Sequence, residues 1–215
     1  MAARLDEGSV TNGVYRNQSF GFTCKIPSAW VLRTEEMNAR EDDGATDKIE
    51  AKDSSTGSAQ QGSRASLDRT APSALLRAGE GGCPHASSCE RVLLAAFSRP
   101  PEARGEDVNS SILIAAESAA AYPGLKEAAQ YFGPVTEVAR AQGFEVINEP
   151  YEFAVGTKAM TRGDFQKDVG TRVMWQSTLV MLARGYAVSL TFIGGTEDEV
   201  EELIDGLSFT AAAKP

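Results

Sequence analysis

Cys83, His85 and Cys89 form a C-x-H-x3-C cluster, and they include the chain's single histidine and two of its three cysteines. Zinc or copper sites use these ligand types. The set is one ligand short of a closed tetrahedron unless an Asp or Glu completes it. The spacing also permits a local disulfide between Cys83 and Cys89, which would suit an oxidising compartment. We favour the disulfide, with a metal- or redox-active loop and free thiols as the alternatives. Cys24 alternates with apolar residues and is expected to be a buried free thiol.

Nucleophilic catalysis finds little support. Any Ser/His/Asp or Cys/His system would have to use His85, which lies in a Gly-, Ser- and Pro-rich loop. There is no G-x-S-x-G elbow, no P-loop, and no G-x-G-x-x-G after a strand. Gly79-Glu80-Gly81-Gly82 reads as a flexible loop, not a phosphate cradle. The carboxylates Glu35, Glu36, Glu41, Asp42 and Asp43 could do acid–base work only if buried with shifted pKa values. In a charged run they are expected to be solvated. Asp42-Asp43-Gly44 and Asp47 lack the ligand spacing of a calcium loop. Trp30 and Trp175 sit in strand patterns and read as core. Arg162, Asp164 and Lys167 lie on an edge or near-edge strand, either on a binding face or on its wet side. Asn17-Gln18-Ser19 and Asn109-Ser110-Ser111 match glycosylation sequons. No catalytic residue, cofactor or resident metal is assigned.

The elements that would position such groups are clearest at the C-terminal end. Two runs, Val173 to Leu182 and Tyr186 to Ile193, flank Ala183-Arg184-Gly185 and predict a hairpin with a three- to five-residue, bulged loop. Tyr186, Val188, Leu190 and Phe192 share one face. The first run is apolar on both faces, as in a central strand covered on both sides. Thr196-x-x-Glu199 predicts a capping box, and Val200, Leu203, Ile204 and Leu207 form one buried helix face. The other face, with Glu197, Asp198, Glu201, Glu202 and Asp205, is expected to be solvated. Leu207 to Phe209 could add a short strand.

Upstream, Val14-Tyr15 and Phe20 to Ile26 predict short strands, the second ended by Pro27. Arg91 to Phe97 and Ser111 to Glu117 are apolar strand runs. Leu125 to Gln142 has helical spacing interrupted at Gly133-Pro134, which predicts a kink or two abutting helices. Residues 1–13 read as a flexible lead-in and 211–215 as a tail. Residues 14–210 read as one domain carrying a polar insertion over 35–90. Strands, insertion, strands, helix and a closing meander make an α+β fold with a mainly antiparallel sheet flanked by helices.

The 215 residues carry a formal net charge of −9 and are 42% hydrophobic. An acidic chain is a poor partner for nucleic acid or anionic membranes, which select basic patches. No run of about 18 apolar residues is present, so no transmembrane segment is expected.

Tyr15, Asn17, Phe20, Gly21 and Phe22, followed by Ile26, Pro27 and Trp30, spell Y-x-N-x-x-F-G-F and I-P-x-x-W. With Val155-Gly156-x-x-Ala159, the strands around Arg184-Gly185 and a helix ending in Ser208-Phe209, this resembles the PsbP-like family. The resemblance implies an antiparallel sheet sandwiched between helices (an α/β/α arrangement) in a protein that acts by binding. Bacterial members are commonly exported. No functional residue carries over, because the shared positions suit turns and core. The expected function is a non-catalytic binding or accessory protein of the bacterial cell envelope, with an unknown protein or envelope component as partner. The alternatives are the Cys83/His85/Cys89 site and a small-molecule carrier with a pocket between sheet and helix. Periplasmic or secreted localisation is expected, with a leader absent from this chain. A cytoplasmic location is the alternative.

Overall fold

The computed structural model describes residues 5–39, 90–103, 105 and 107–210. Cys83, His85, Cys89, Glu41, Asp42, Asp43 and nearly all of the 35–90 insertion lie outside them. The described residues form an α+β structure with two antiparallel sheets.

The smaller sheet runs β1 (Ser9–Thr11), β2 (Val14–Asn17), β3 (Phe22–Lys25) and β11 (Leu207–Phe209) in that spatial order. The larger has the order β4-β5-β6-β10-β9-β8-β7. Its strands are β4 (Val31–Leu32), β5 (Glu90–Phe97), β6 (Ser111–Ser118), β7 (Glu145–Val155), β8 (Lys158–Val169), β9 (Arg172–Ala183) and β10 (Tyr186–Gly194). Residues 34–39 are helical (α1). A 3-10 turn, Ala128–Tyr131, runs into α2 (Phe132–Ala141), and α3 (Glu197–Asp205) precedes β11.

The large sheet is covered on both faces, as the apolar runs of β9 and β10 require. On one face Val188, Leu190 and Phe192 meet Leu179 and Met181, and the small sheet (Phe22, Cys24) with α3 (Val200, Leu203, Ile204) packs over them. On the other, Val180, Ala187 and Ile193 meet Phe132, Val135 and Ala139 of α2, with Met37 of α1. Phe192, Leu190 and Leu179 are fully buried. Burial of each such side chain contributes about 1.5–3 kcal/mol. Cys24 is a buried free thiol whose pKa is pushed up to about 12 by desolvation.

Local chemistry accounts for the joints. The β9–β10 loop is two residues, not three to five, because Ala183 pairs with Tyr186. Arg184 and Gly185 both have positive φ, 54° and 83°, as a type I′ turn demands. Thr196 Oγ1 caps α3 by accepting from Glu199 N at 3.1 Å. The reciprocal half of the expected box is displaced by one residue, since Glu199 Oε2 accepts from Gly195 N at 2.8 Å. Helix α2 abuts the 3-10 turn as two helical pieces, with Pro134 in its first turn. It ends in a Schellman motif: Phe144 N donates to Ala139 O and Gly143 N to Arg140 O, both at 2.9 Å, with Gly143 at φ 85°.

Within the 1–13 lead-in, residues 9–11 form strand β1. Ser9, Val10 and Thr11 pair with Arg16, Tyr15 and Val14 across the Asn12-Gly13 turn. Asp6 caps the backbone N–H groups of Gly8 and Ser19 at 3.0 and 3.1 Å.

Candidate functional site

The sequence-derived candidates are distributed as follows. Cys83, His85 and Cys89 lie outside the described residues. Glu35 and Glu36 are exposed, as expected of a solvated run. Trp175 is partly buried against the core, and so is Trp30. Neither sequon offers a free amide. Asn17 is fully buried, its Nδ2 donating to Asp6 O at 2.8 Å. Asn109 Nδ2 donates to Arg99 O and its Oδ1 accepts from Ser98 Oγ.

Arg162 and Asp164 are neither a binding face nor a wet one. They are each 5% exposed, because β7 lies outboard of β8 and α3, packed over β9 and β10, reaches Arg162 with Glu201. Arg162 Nε donates to Asp164 Oδ1 at 2.7 Å, Nη1 to Glu201 Oε2 at 3.1 Å, and Nη2 to Ser177 Oγ at 3.1 Å and to Glu201 Oε1. Asp164 also accepts from Ser177 Oγ at 2.6 Å, from Asn148 Nδ2 at 3.0 Å and from the Tyr151 hydroxyl at 3.1 Å. The Phe153 ring lies under the guanidinium at 5.0 Å. Thus β7, β8, β9 and α3 are tied by one charged group, and Glu201, though still partly solvated, turns to it from the outer face of α3. Lys167 instead stands over the Phe144 ring at 5.7 Å.

A second buried carboxyl was not singled out from the sequence. Glu117, at the end of the apolar run of β6, is 8% exposed and accepts from the Tyr131 hydroxyl at 2.6 Å and from the Tyr122 hydroxyl. It faces α2, whereas Asp164 faces α3. The two carboxyls therefore lie on opposite faces of the large sheet and cannot act on one substrate.

Their ionisation is perturbed in opposite directions. Burial raises the Glu117 pKa, and the two phenol hydrogen bonds offset only part of that. Burial would raise Asp164 too, but hydrogen bonds from Ser177, Arg162 and Asn148 and the Arg162 charge hold it below the usual carboxyl value. By linkage, Asp164 contributes stability that is present above about pH 4 and lost as pH falls through its lower folded value. Glu117 contributes stability that is complete below about pH 4 and lost as pH rises through its higher folded value. Glu117→Gln should therefore flatten the fall in stability as pH rises above about 4, and Asp164→Asn should flatten the acid limb below about pH 4. Urea titrations across pH test both. Parallel pH profiles of variant and parent would refute the assignment.

A concave feature among the described residues lies elsewhere. Where the chain crosses from the small sheet to the large one, a groove of about 620 Å³ is lined by Val10, Val14, Ile26, Pro27, Trp30 and Leu32. Asn12, Ser28 and Lys25 also contribute to the lining. Its walls are the β1–β2 turn, the crossover after β3, and β4, the edge strand of the large sheet. The Asn12-Gly13 turn is fixed by Ile26 N donating to Gly13 O at 2.7 Å. Val10 and Leu32 are 39% and 44% exposed, among the most exposed large apolar residues described. The groove falls at the margin of both sheets, not between sheet and helix. Ile26, Pro27 and Trp30, read from the sequence as strand end and core packing, line it. The groove is open and mostly apolar, and its volume lies within the ~300–1,000 Å³ of small-ligand sites. Among the described residues no cluster of His, Cys, Asp and Glu has metal-binding form, and no helix is long and apolar enough to cross a membrane.

No protein-family model matches the chain, and no curated protein does. Among solved structures, a protein of unknown function from Pseudomonas aeruginosa, PA94, is 17% identical. That match covers 53% of this chain and 79% of PA94, with a TM-score of 0.35. LpqN of Mycobacterium tuberculosis, involved in cell envelope biogenesis, is 15% identical over 58% of this chain and 80% of its own, with a TM-score of 0.32. At these scores neither likeness carries an argument about function.

Proposed function

We propose that this chain is a non-catalytic binding protein of the bacterial cell envelope that holds an apolar partner in the groove around Trp30. The observation that carries the reading is the groove itself: an open apolar concavity with Val10, Trp30 and Leu32 along it. The non-catalytic part is supported by the buried polar groups. Arg162 and Asp164 are taken up by partners within the chain, and Glu117 and Asp164 are separated by the sheet. The envelope setting is supported by the PsbP-like resemblance, whose I-P-x-x-W residues line the groove. The acidic balance of the chain, net −9, disfavours nucleic acid as partner.

The test uses Trp175→Phe protein, so that Trp30 is the sole tryptophan. Titration with dodecyl alcohol should give a saturable blue shift of Trp30 emission. Val10→Ser and Leu32→Ser, both at exposed positions, should each weaken binding roughly fivefold through lost apolar contact. Trp30 emission that stays unmoved, or serine variants that bind as well as the parent, would contradict the reading.

A further inference from the structure

Among the described residues that line the groove, Lys25 is the one that carries a charge. It closes β3, its side chain is exposed, and no described carboxylate pairs with it. Its backbone is fixed from the opposite side, because Lys25 N donates to Gly206 O at 2.9 Å. Its neighbour Cys24 is buried against the core. An ammonium with no described carboxylate partner, beside an apolar trough, is complementary to a molecule with an anionic head and an apolar tail. A charge there recognises the head, while the walls of Val10, Ile26, Trp30 and Leu32 take the chain.

Two further observations narrow the class. The volume of about 620 Å³ falls in the ~300–1,000 Å³ range of small-molecule sites, which favours a single acyl chain over a protein surface. The chain as a whole carries net charge −9, so its overall field disfavours anions. A preference for an anionic ligand would then report a local cation, with Lys25 as the lining residue that can supply it.

Building on the groove reading above, we infer that the groove binds a free long-chain carboxylate, with Lys25 at its head group and the Trp30 trough around its chain. Ion pairing at a partly exposed site is modest, so the head should contribute about fivefold in affinity and the chain the remainder.

The experiment compares dodecanoate and dodecyltrimethylammonium, each below its micellar concentration, with dodecyl alcohol below its solubility limit, on the Trp175→Phe protein at pH 8 and low salt. Dodecanoate should bind about fivefold tighter than the alcohol, and the cationic amphiphile weakest. Lys25→Gln should equalise dodecanoate and alcohol, and Lys25→Glu should invert the order. Rising salt should shrink the preference in the parent alone. Equal binding of dodecanoate and alcohol by the parent overturns the carboxylate inference and leaves the apolar groove standing. A preference that survives Lys25→Gln also overturns it. Failure of all three amphiphiles to bind overturns both readings.

Discussion

Arg162→Met should lower the free energy of unfolding by about 3–5 kcal/mol, the usual effect of removing one partner from a buried ion pair. Arg162 is 5% exposed, and its guanidinium serves two carboxylates and a serine hydroxyl. Its loss leaves Asp164 buried, with hydrogen bonds from Ser177, Asn148 and Tyr151 but no cation. Desolvation of that carboxylate then goes uncompensated. Glu201→Gln should cost far less, on the order of 0.5–1 kcal/mol, because the Glu201 side chain is 43% exposed and water replaces part of the bond. Combining Arg162→Met with Asp164→Leu should recover part of the loss, since the stranded charge is removed. Urea denaturation of the four proteins measures this. An Arg162→Met cost no greater than that of Glu201→Gln would show that the cluster is an ordinary surface pair.

Phe132→Ala should cost about 3–5 kcal/mol, as for other buried aromatic truncations. Phe132 is 2% exposed at the start of α2 and lies against β8 at Gly163. A Cβ at Gly163 would stand 2.7 Å from Phe132 Cε1, closer than packed carbon atoms allow. Gly163→Ala alone should therefore cost about 1–3 kcal/mol by overpacking. In a Phe132→Ala background the same alanine meets no ring, and its cost should largely vanish. The expected signature is a non-additive double-mutant cycle. Additive costs would mean that Gly163 is required for backbone reasons and not for the approach of the ring.

How much of this was legible beforehand depended on range. The β9–β10 hairpin, the buried face of α3 and the short β11 came from local periodicity and capping residues, whereas the helical junction falls at Tyr131/Phe132 and not at Gly133-Pro134, which lie in the first turn of α2. The antiparallel α+β architecture followed from their order. The length of the β9–β10 loop did not, because Arg184 takes a positive φ that its side chain gives no reason to expect. Asn12-Gly13 was a usable hairpin signal, but the flanking residues Ser9 and Thr11 are too polar to suggest a strand. The strand exists because β2 offers it an edge.

Arg162 and Asp164 looked wet because a polar alternation on one strand cannot reveal that β7 and α3 cover it. Glu201 looked solvated for the same reason, since its partner lies 39 residues away in sequence. Glu117 was hidden at the end of an apolar run, and nothing local marks Tyr122 and Tyr131 as its partners. The groove was least visible of all. Ile26, Pro27 and Trp30 read as strand end and core, and their concavity arises only where the chain passes from one sheet to the other.

The central claim is that the groove at the two sheet margins is where a ligand sits. Backbone and indole amide shifts of the nitrogen-labelled protein, followed during titration with dodecyl alcohol, test it most directly. The account predicts saturable shifts confined to Val10, Asn12, Ile26, Leu32 and the Trp30 indole, with α2 and β7 unmoved. Shifts clustered around Glu117 and α2, around β7, or nowhere at all would contradict it.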